Sequence, residues 1–377
     1  MTQKLSIAII LAIFPFFACS ATLHLQKSNF SQLPGWQQDN LQQALPALQK
    51  SCEKVLERAR YRDPNTDARA TYQWRKACEV VLSESDNRSN AQIRAMFERY
   101  YQPWLVTSAG SSQGLFTGYY EPTIKGSLTP TSEYRVPLYG RPTNLVKVNH
   151  RYRLNTAHGY VRLPSRAEIS NGPALKSTPV IAWIHSKVDR FFLQIQGSGS
   201  ITLPNGKQVL LGYAGQNGWK YYPIGAYLVN SGALSANNVS LQTIKAWLNA
   251  HPDQAQRVMN MNPSFTFFRV LNTEQPVGAE GIPLTPQRSL AVDPHFIPYG
   301  TALWLNSYYP IVNNGQIQPG KPLQRLMVAQ DTGGAIQGPI RGDFFWGSGD
   351  QAQWYAGHMQ MPGQYWVLLP KGIHYLR

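Results

Sequence analysis

Twenty carboxylates serve a chain of 377 residues, and the C-terminal third sets three of them in unusual company. Asp293 stands in Ala291-Val-Asp-Pro-His-Phe-Ile-Pro-Tyr-Gly-Thr301. Asp331 stands in Met327-Val-Ala-Gln-Asp-Thr-Gly-Gly-Ala-Ile336, and Asp343 in Ile340-Arg-Gly-Asp-Phe-Phe-Trp-Gly-Ser-Gly349. Asp331 follows an apolar run and precedes two glycines, which places its carboxylate at a strand end. Asp343 precedes Phe344, Phe345 and Trp346. Partial burial against aromatics disfavours the ionised form, and a second carboxylate nearby raises the pKa further. A general acid working near neutral pH needs that shift, because it must hold a proton to give to a leaving oxygen. The alternative for each aspartate is a turn in which it bonds backbone N–H groups. For Asp293, before a proline, the turn is preferred. For Asp331 the two readings stand level, and for Asp343 the catalytic reading leads.

Other catalytic sets are missing from the sequence. It has no phosphate-binding glycine loop ending in Lys-Ser/Thr, no G-x-S-x-G elbow, no H-E-x-x-H and no C-x-x-C. The eight histidines are dispersed and form no metal-ligand pair. Ser198, in Gly197-Ser-Gly-Ser200, has no histidine near it and reads as part of a turn rather than as a nucleophile.

The elements that must position these aspartates change character near Ser108. Residues 22–35 read as a tether. From about 38 to 102 the pattern is helical: Leu41, Leu45, Leu48, Cys52 and Val55 make one apolar face. Pro64 and Asn65 break it. A second helix is predicted near 67–83, and Ser89 with Gln92 makes a capping box for a third through Tyr100, which Pro103 ends. After Ser108 glycine, proline and alternating apolar residues predict strands at Gly114–Pro122, Arg135–Tyr139, Val180–Ile184 and Arg190–Gln196. A helical island covers about 240–259. Ser240 caps it, Ile244, Trp247 and Leu248 share a face, and Pro252 interrupts it. Strands resume at Phe265–Val270 and run on to Leu369.

Composition fits a folded, turn-rich protein of about two domains. Hydrophobic residues make up 43% and charged residues 15%, the reverse of a disordered chain. The 10 Trp, 20 Tyr and 14 Phe suit cores and stacking on sugar rings alike. A net charge of +15 attracts acidic polymers or anionic membranes. The cations are scattered, without a basic run, zinc-finger spacing or an aromatic RNA-binding signature, so no nucleic-acid partner is expected. Met1–Lys4, the apolar run Leu5–Phe17 and the small residues Ala18–Ala21 read as a secretory signal over 1–20. Cys19, in Phe16-Phe-Ala-Cys19, resembles a lipidated cysteine, although leucine usually stands where Phe16 does. Cleavage near Ser20 or Ala21 without lipid is the alternative. Cys52 and Cys78 lie on two predicted helices in an oxidising compartment and read as a disulfide, with two reduced buried thiols as the alternative.

The three aspartate segments resemble the three-aspartate domain, a double-psi β-barrel. The chain from about Gly114 to Pro370 resembles the membrane-bound lytic murein transglycosylase A family, glycoside hydrolase family 102. The matching segments are Phe116-Thr-Gly-Tyr-Tyr-Glu-Pro122, Phe191-Phe-Leu-Gln-Ile-Gln-Gly-Ser-Gly199, Gly212-Tyr-Ala-Gly-Gln-Asn-Gly218, Asn262-Pro-Ser-Phe-Thr-Phe-Phe-Arg269, Pro283-Leu-Thr-Pro-Gln-Arg-Ser-Leu-Ala-Val-Asp-Pro294 and Asp331 to Gly349. Each alone is weak; together and in this order they are specific.

The resemblance implies a mainly β protein with a helical N-terminal region. A double-psi barrel built from 22–134 and 281–377 is interrupted by a second β-rich domain over 135–280, with a groove between the two. It implies that Asp343 is the acid/base and that Asp331 supports it. The expected reaction cuts the β-1,4 bond between N-acetylmuramic acid and N-acetylglucosamine and leaves a 1,6-anhydro end. Tyr119, Tyr120, Glu121, Gln194, Gln196, Ser198, Gln216 and Asn217 become candidate substrate contacts, each with a structural role as the equal alternative. Asp293 stays structural. No metal or organic cofactor is implied. The expected partners are peptidoglycan glycan strands, the membrane through a lipid on Cys19, and wall-synthesis complexes; oligomeric state is left open. The expected location is the outer membrane facing the periplasm, or the soluble periplasm if Cys19 carries no lipid.

Two rival readings remain at this stage. An inverting hydrolase would use Asp331 as base, since such enzymes hold two carboxyl groups about 6.5–9.5 Å apart. A non-catalytic, expansin-like carbohydrate-binding barrel would bind without cutting.

Overall fold

A computed structural model describes residues 22–60, 68–83, 88–149, 151–172 and 175–373. The signal segment and Cys19 lie outside the described residues. The N-terminal part holds strand β1 (His24–Lys27), helices α1 (Leu45–Arg60), α2 (Ala68–Ser83) and α3 (Asn90–Tyr100), and strands β2 (Tyr101–Thr107) and β3 (Gly114–Glu121). The middle holds β4 (Thr123–Ser127), β5 (Val136–Tyr139), β6 (Leu145–Val148), β7 (Arg151–Thr156), β8 (Gly159–Val161), α4 (Arg166–Asn171), β9 (Val180–Ile184), α5 (Lys187–Gln196), β10 (Gly199–Thr202), β11 (Gln208–Gln216), α6 (Ile224–Asn230), α7 (Leu241–Ala250), α8 (Pro252–Asn260) and β12 (Thr266–Val270). The last part holds β13 (Ser289–Val292), β14 (Ala302–Asn313), β15 (Gln316–Asp331), β16 (Arg341–Ser348), α9 (Asp350–His358) and β17 (Gln360–Pro370).

Eight strands form one sheet in the order β1-β2-β17-β14-β15-β13-β16-β3, and β17 also pairs with β3. That extra pairing closes β17, β14, β15, β13, β16 and β3 into a barrel. Phe116, Leu290, Leu303, Leu305, Met327, Ala329, Phe344 and Val367 fill its interior. The alternate residues of β14, β15 and β17 point outward: Ala302, Trp304, Leu326, Val328, Trp366 and Leu368 pack against α1–α3. These strands are apolar on both faces because both faces are covered. The Cys52–Cys78 disulfide ties α1 to α2 inside that helical layer. Arg288, 2% exposed, forks onto Asp39 at 2.7 and 2.9 Å and anchors the start of β13 to the N-terminal segment.

The middle segment is a second β unit. Its six strands run β12-β11-β10-β4-β9-β5, and a single bridge from Gly140 to Phe268 joins the two edges. The chain enters this sheet at β4, Thr123–Ser127. A three-stranded sheet β6-β7-β8 lies beside it. Helix α7 touches the barrel's α9, where Gln242 Nε2 donates to the Gln353 carbonyl at 2.9 Å.

Three local expectations need correction. Residues 190–196, expected as a strand, belong to helix α5. The Ser186 hydroxyl caps it by accepting from the Val188 and Asp189 N–H groups, Val188, Phe191 and Phe192 are buried on it, and Gly197 ends it with φ +80°. Three adjacent apolar residues, Phe191, Phe192 and Leu193, hide a helical period that the cap reveals. The tether is also absent at His24–Lys27, which pairs antiparallel with Trp104–Thr107 as β1. Finally, α9 interrupts the strands expected to run on to Leu369. The capping box at Ser89, the strand positions near 136, 180 and 266, and the interruption of the 240–259 helical island at Pro252 agree with the sequence reading. Among the described residues no helix is long and apolar enough to cross a membrane.

Candidate active site

Strand pairing brings the aspartates together. Ala291 of β13 is registered with Asp331 of β15 on one side and Asp343 of β16 on the other, and Asp343 is registered with Thr117 of β3. Asp331, Ala291, Asp343 and Thr117 thus form one row across four strands. Leu290 and Val292, which flank Ala291, fill the barrel interior, so this row faces outward. Asp331 joins it through a bulge. The register slips between Leu290 and Ala291, and Gln330 and Asp331 together oppose that step. Gln330 points to α1, where it donates to the Ala47 carbonyl and Ser51. Without the extra residue, Asp331 would share the parity of Met327 and Ala329 and point into the core.

Each carboxylate is held differently. Asp343 Oδ1 accepts from the Thr117 hydroxyl at 2.6 Å. Arg341 Nη2 donates to the same Thr117 oxygen at 2.8 Å, which commits the threonine proton to Asp343. Burial raises the Asp343 pKa, with Arg341 and the Thr117 hydrogen bond pulling the other way. Asp331 Oδ1 accepts from the Ala279 and Thr332 N–H groups, both at 2.9 Å. Burial still pushes its pKa up to about 6, and the Asp343 charge is the smallest of the influences on it. The buried Tyr119 hydroxyl faces Asp331 without a hydrogen bond of ordinary geometry, and burial raises its own pKa. Asp293 Oδ1 accepts from the His295 N–H at 3.1 Å and contacts His295 Nδ1 at 2.8 Å, and its Oδ2 accepts from the Gly338 N–H at 2.8 Å.

The burial of Asp343 differs from its sequence-based cause. Phe344 and Trp346 alternate away from it into the barrel core. Phe345 shares its face and packs on Tyr119, ring centroids 5.0 Å apart. On the insert side stands Tyr221, half-buried, its pKa pushed up to about 12 by desolvation and then by the Asp343 charge.

The row opens into a cleft of about 1430 Å³ walled by the barrel on one side and the insert on the other. Gln196, Ser198 and Gln216 line it. Gln196 accepts from the Tyr120 N–H at 3.1 Å, and Gln216 accepts from the Ser264 hydroxyl at 3.1 Å. Gln194 also lines it but is only 6% exposed, with its amide occupied by Arg166 at 2.6 Å and the Thr266 carbonyl at 3.2 Å. The remaining expected contacts are not in the lining. Asn217 is fully buried, donates to the Pro164 and Pro263 carbonyls and accepts from the Phe265 N–H, so it locks a turn and does not touch the cleft. Tyr120 packs in the barrel core. Glu121 is buried away from the cleft lining, and burial pushes its pKa up to about 7. Thr117, Arg341 and Tyr221 were not singled out from sequence. Arg341 lies two residues before Asp343 on one strand, hence on the same face, and that spacing is a usable signal; Tyr221 has none. Among the described residues no three His, Cys, Asp or Glu side chains gather as metal ligands.

A raised carboxyl with a hydroxyl donor, open to a wide cleft, can deliver a proton to a bridging oxygen and take one back. Two family models match the chain: the MltA specific insert domain over residues 115–269 and the 3D domain over 288–369. The chain is 34% identical over 284 residues to membrane-bound lytic murein transglycosylase A of Escherichia coli K12, covering 74% of this chain and 73% of that protein. It is 29% identical over 366 residues to that of Vibrio cholerae, covering 91% and 94%. A membrane-bound lytic murein transglycosylase from Agrobacterium tumefaciens superposes with a TM-score of 0.79 at 31% identity, over 92% of this chain and 98% of that one. E. coli MltA with bound chitohexaose superposes with a TM-score of 0.63 at 29% identity, over 86% and 89%.

Proposed function

The chain belongs to the membrane-bound lytic murein transglycosylase A family, and from that premise we propose how its cleft cuts a glycan strand. It is a lytic transglycosylase acting on peptidoglycan, with a 3D domain and an inserted domain. We assign the acid/base to Asp343. The observation that carries this is the pairing of a burial-raised carboxyl with a committed Thr117 donor at the cleft wall. Protonated Asp343 gives its proton to O4, the oxygen bridging C1 of N-acetylmuramic acid and C4 of N-acetylglucosamine. The C1–O4 bond breaks with positive charge developing at C1, and the new carboxylate is steadied by Thr117 and Arg341. Asp343 then takes the proton of the C6 hydroxyl on the same muramic ring as O6 bonds to C1. The product is a 1,6-anhydro ring, no water is consumed and Asp343 is again protonated.

Asp331 is a positioning residue in this scheme. Its oxygen holds the Ala279 and Thr332 N–H groups at the mouth of the barrel. The closed six-strand ring supports a double-psi barrel, and the cleft between barrel and insert supports a groove for the glycan, with Gln196, Ser198 and Gln216 meeting sugar hydroxyl or N-acetyl groups. A relative bound to chitohexaose, an oligomer of N-acetylglucosamine, supports a sugar in that groove. The relatives are named as membrane-bound, which supports an exported, membrane-associated protein. We extend this to an outer-membrane lipoprotein anchored through Cys19. Mass spectrometry of peptidoglycan digested by the purified protein and by Asp343→Asn tests the mechanism. Products ending in 1,6-anhydro-muramic acid, lost in the variant, are expected. Reducing-end products, one water heavier, would instead make Asp331 a base for water and sink the internal-attack scheme.

A further inference from the structure

The insert side of the cleft carries Lys147, Arg151, Arg153, Lys220 and Arg269. Among the described residues none of the five is within ion-pair distance of a carboxylate. Cations left unpaired along one wall of a cleft repel one another and focus a positive potential into it. The carboxylates in the lining, Asp293, Asp331 and Asp343, stand on the opposite, barrel wall. Arg151 and Arg153 alternate along β7, so both project from one face of the β6-β7-β8 sheet. Together with Val148, Asn149 and Tyr160 they also line a separate hollow of about 380 Å³. The Arg153 guanidinium is steadied by a 2.8 Å bond to the Tyr152 carbonyl.

This sheet is packed directly on the loop that reaches the catalytic row. Gly218 has φ +75°, and a Cβ there would come within 2.9 Å of the Tyr152 carbonyl oxygen. Three residues later the same loop presents Tyr221 beside Asp343. The cationic hairpin is therefore one packing layer from the point of cleavage. N-acetylated glycan sugars are neutral and give these cations nothing to pair with. In peptidoglycan the carboxylates lie on the peptide stems, which branch from the muramic ring that Asp343 would act on.

We propose that Arg151 and Arg153 form a subsite for the carboxylates of peptide stems, so that the enzyme selects stem-bearing glycan. This rests on the cleft reading above. The test uses soluble, uncrosslinked stem-bearing strands and the same strands with their carboxylates chemically amidated, which keeps the shape and removes the charge. The full chain is expected to cleave native strands with kcat/KM about tenfold above amidated ones, the yield of two exposed charge pairs. That preference is expected to shrink as salt rises. In the Arg151→Gln/Arg153→Gln variant the preference should fall to about one, and Arg151→Lys/Arg153→Lys should restore most of it, which a folding defect could not do. Equal cleavage of both substrates by the unmodified protein, or a glutamine variant that still discriminates, overturns the subsite while anhydro ends on both substrates leave the cleavage reading intact. Absence of anhydro ends from both substrates would overturn the two together.

Discussion

On the barrel wall of the cleft the carboxylates are held by their surroundings; on the insert wall Arg166 is buried and held, while an outer set of cations has no ion pair among the described residues. Asp343 is held by Thr117, Asp331 by the Ala279 and Thr332 N–H groups, and Asp293 by Gly338 and His295. Burial shifts the pKa of Asp331 and of Asp343 upward. Arg151 on the insert wall is exposed, and among the described residues Arg153 and Arg269 have no carboxylate partner. A fixed, desolvated wall suits proton transfer, which needs one geometry and one tuned acid. A solvated wall of long side chains suits recognition of a polymer whose side branches vary in position. On the proposed reading, the two walls divide chemistry from recognition.

The largest break in this division is expected from Asp343→Asn. It should lower the rate on peptidoglycan by about 1000-fold or more, as loss of a general acid and base does, while circular dichroism and Tm show a folded protein. A large loss of structure instead would make Asp343 a structural residue and blur the two walls. Thr117→Val comes next. It removes a donor that favours the ionised carboxylate, so the Asp343 pKa should rise further. The alkaline limb of the kcat/KM profile, set by loss of the acid's proton, should move to higher pH. The rate should fall about tenfold, the order expected for one hydrogen bond to a charged group. A limb that moves to lower pH would remove Asp343 from the role of acid.

Asp331→Asn tests the supporting carboxylate through stability. Its folded pKa of about 6 lies above the ordinary value of 3.8. The folded chain therefore binds that proton more tightly, and stability falls as pH rises from about 4 to about 6 and stays lowered above that. An asparagine can still accept from Ala279 and Thr332 but never ionises. It should raise Tm on the order of 3 °C at pH 7.5 and leave it unchanged near pH 4, read by calorimetry. A Tm gain of equal size at both pH values would show that ionisation is not the cause. The smallest effect belongs to the recognition wall. Gln216→Ala should raise KM about threefold with kcat and Tm nearly constant, the signature of lost uniform binding. A drop in kcat of the same size would move Gln216 into the chemistry.

Much of this was legible in the chain before any coordinates. The N-terminal helices and α7 followed from apolar spacing and from capping residues such as Ser89 and Ser240, because those signals act within four residues, whereas α5 and α9 lie where the pattern predicts strands. The aspartate segments and the family motifs singled out Asp343, and two cysteines on two helices were enough to pair Cys52 with Cys78. What local pattern failed to give was direction. Phe344 and Trp346 were expected to cover Asp343, yet strand alternation sends both into the core. Asn217, a neighbour of Gln216 in one motif, turns inward and bonds three backbone groups.

Sequence by itself therefore determined which segments fold, which carboxylates have unusual neighbours and which family the chain resembles. Only the tertiary structure decided that Thr117, 226 residues before Asp343, supplies its donor, that a bulge at Gln330 turns Asp331 out of the barrel, and that Tyr221 of the insert comes within electrostatic reach of Asp343. The reason is geometric: a side chain's face changes with every single residue of strand register. Register between distant strands is set by closure of the whole barrel, not by any stretch of sequence read alone.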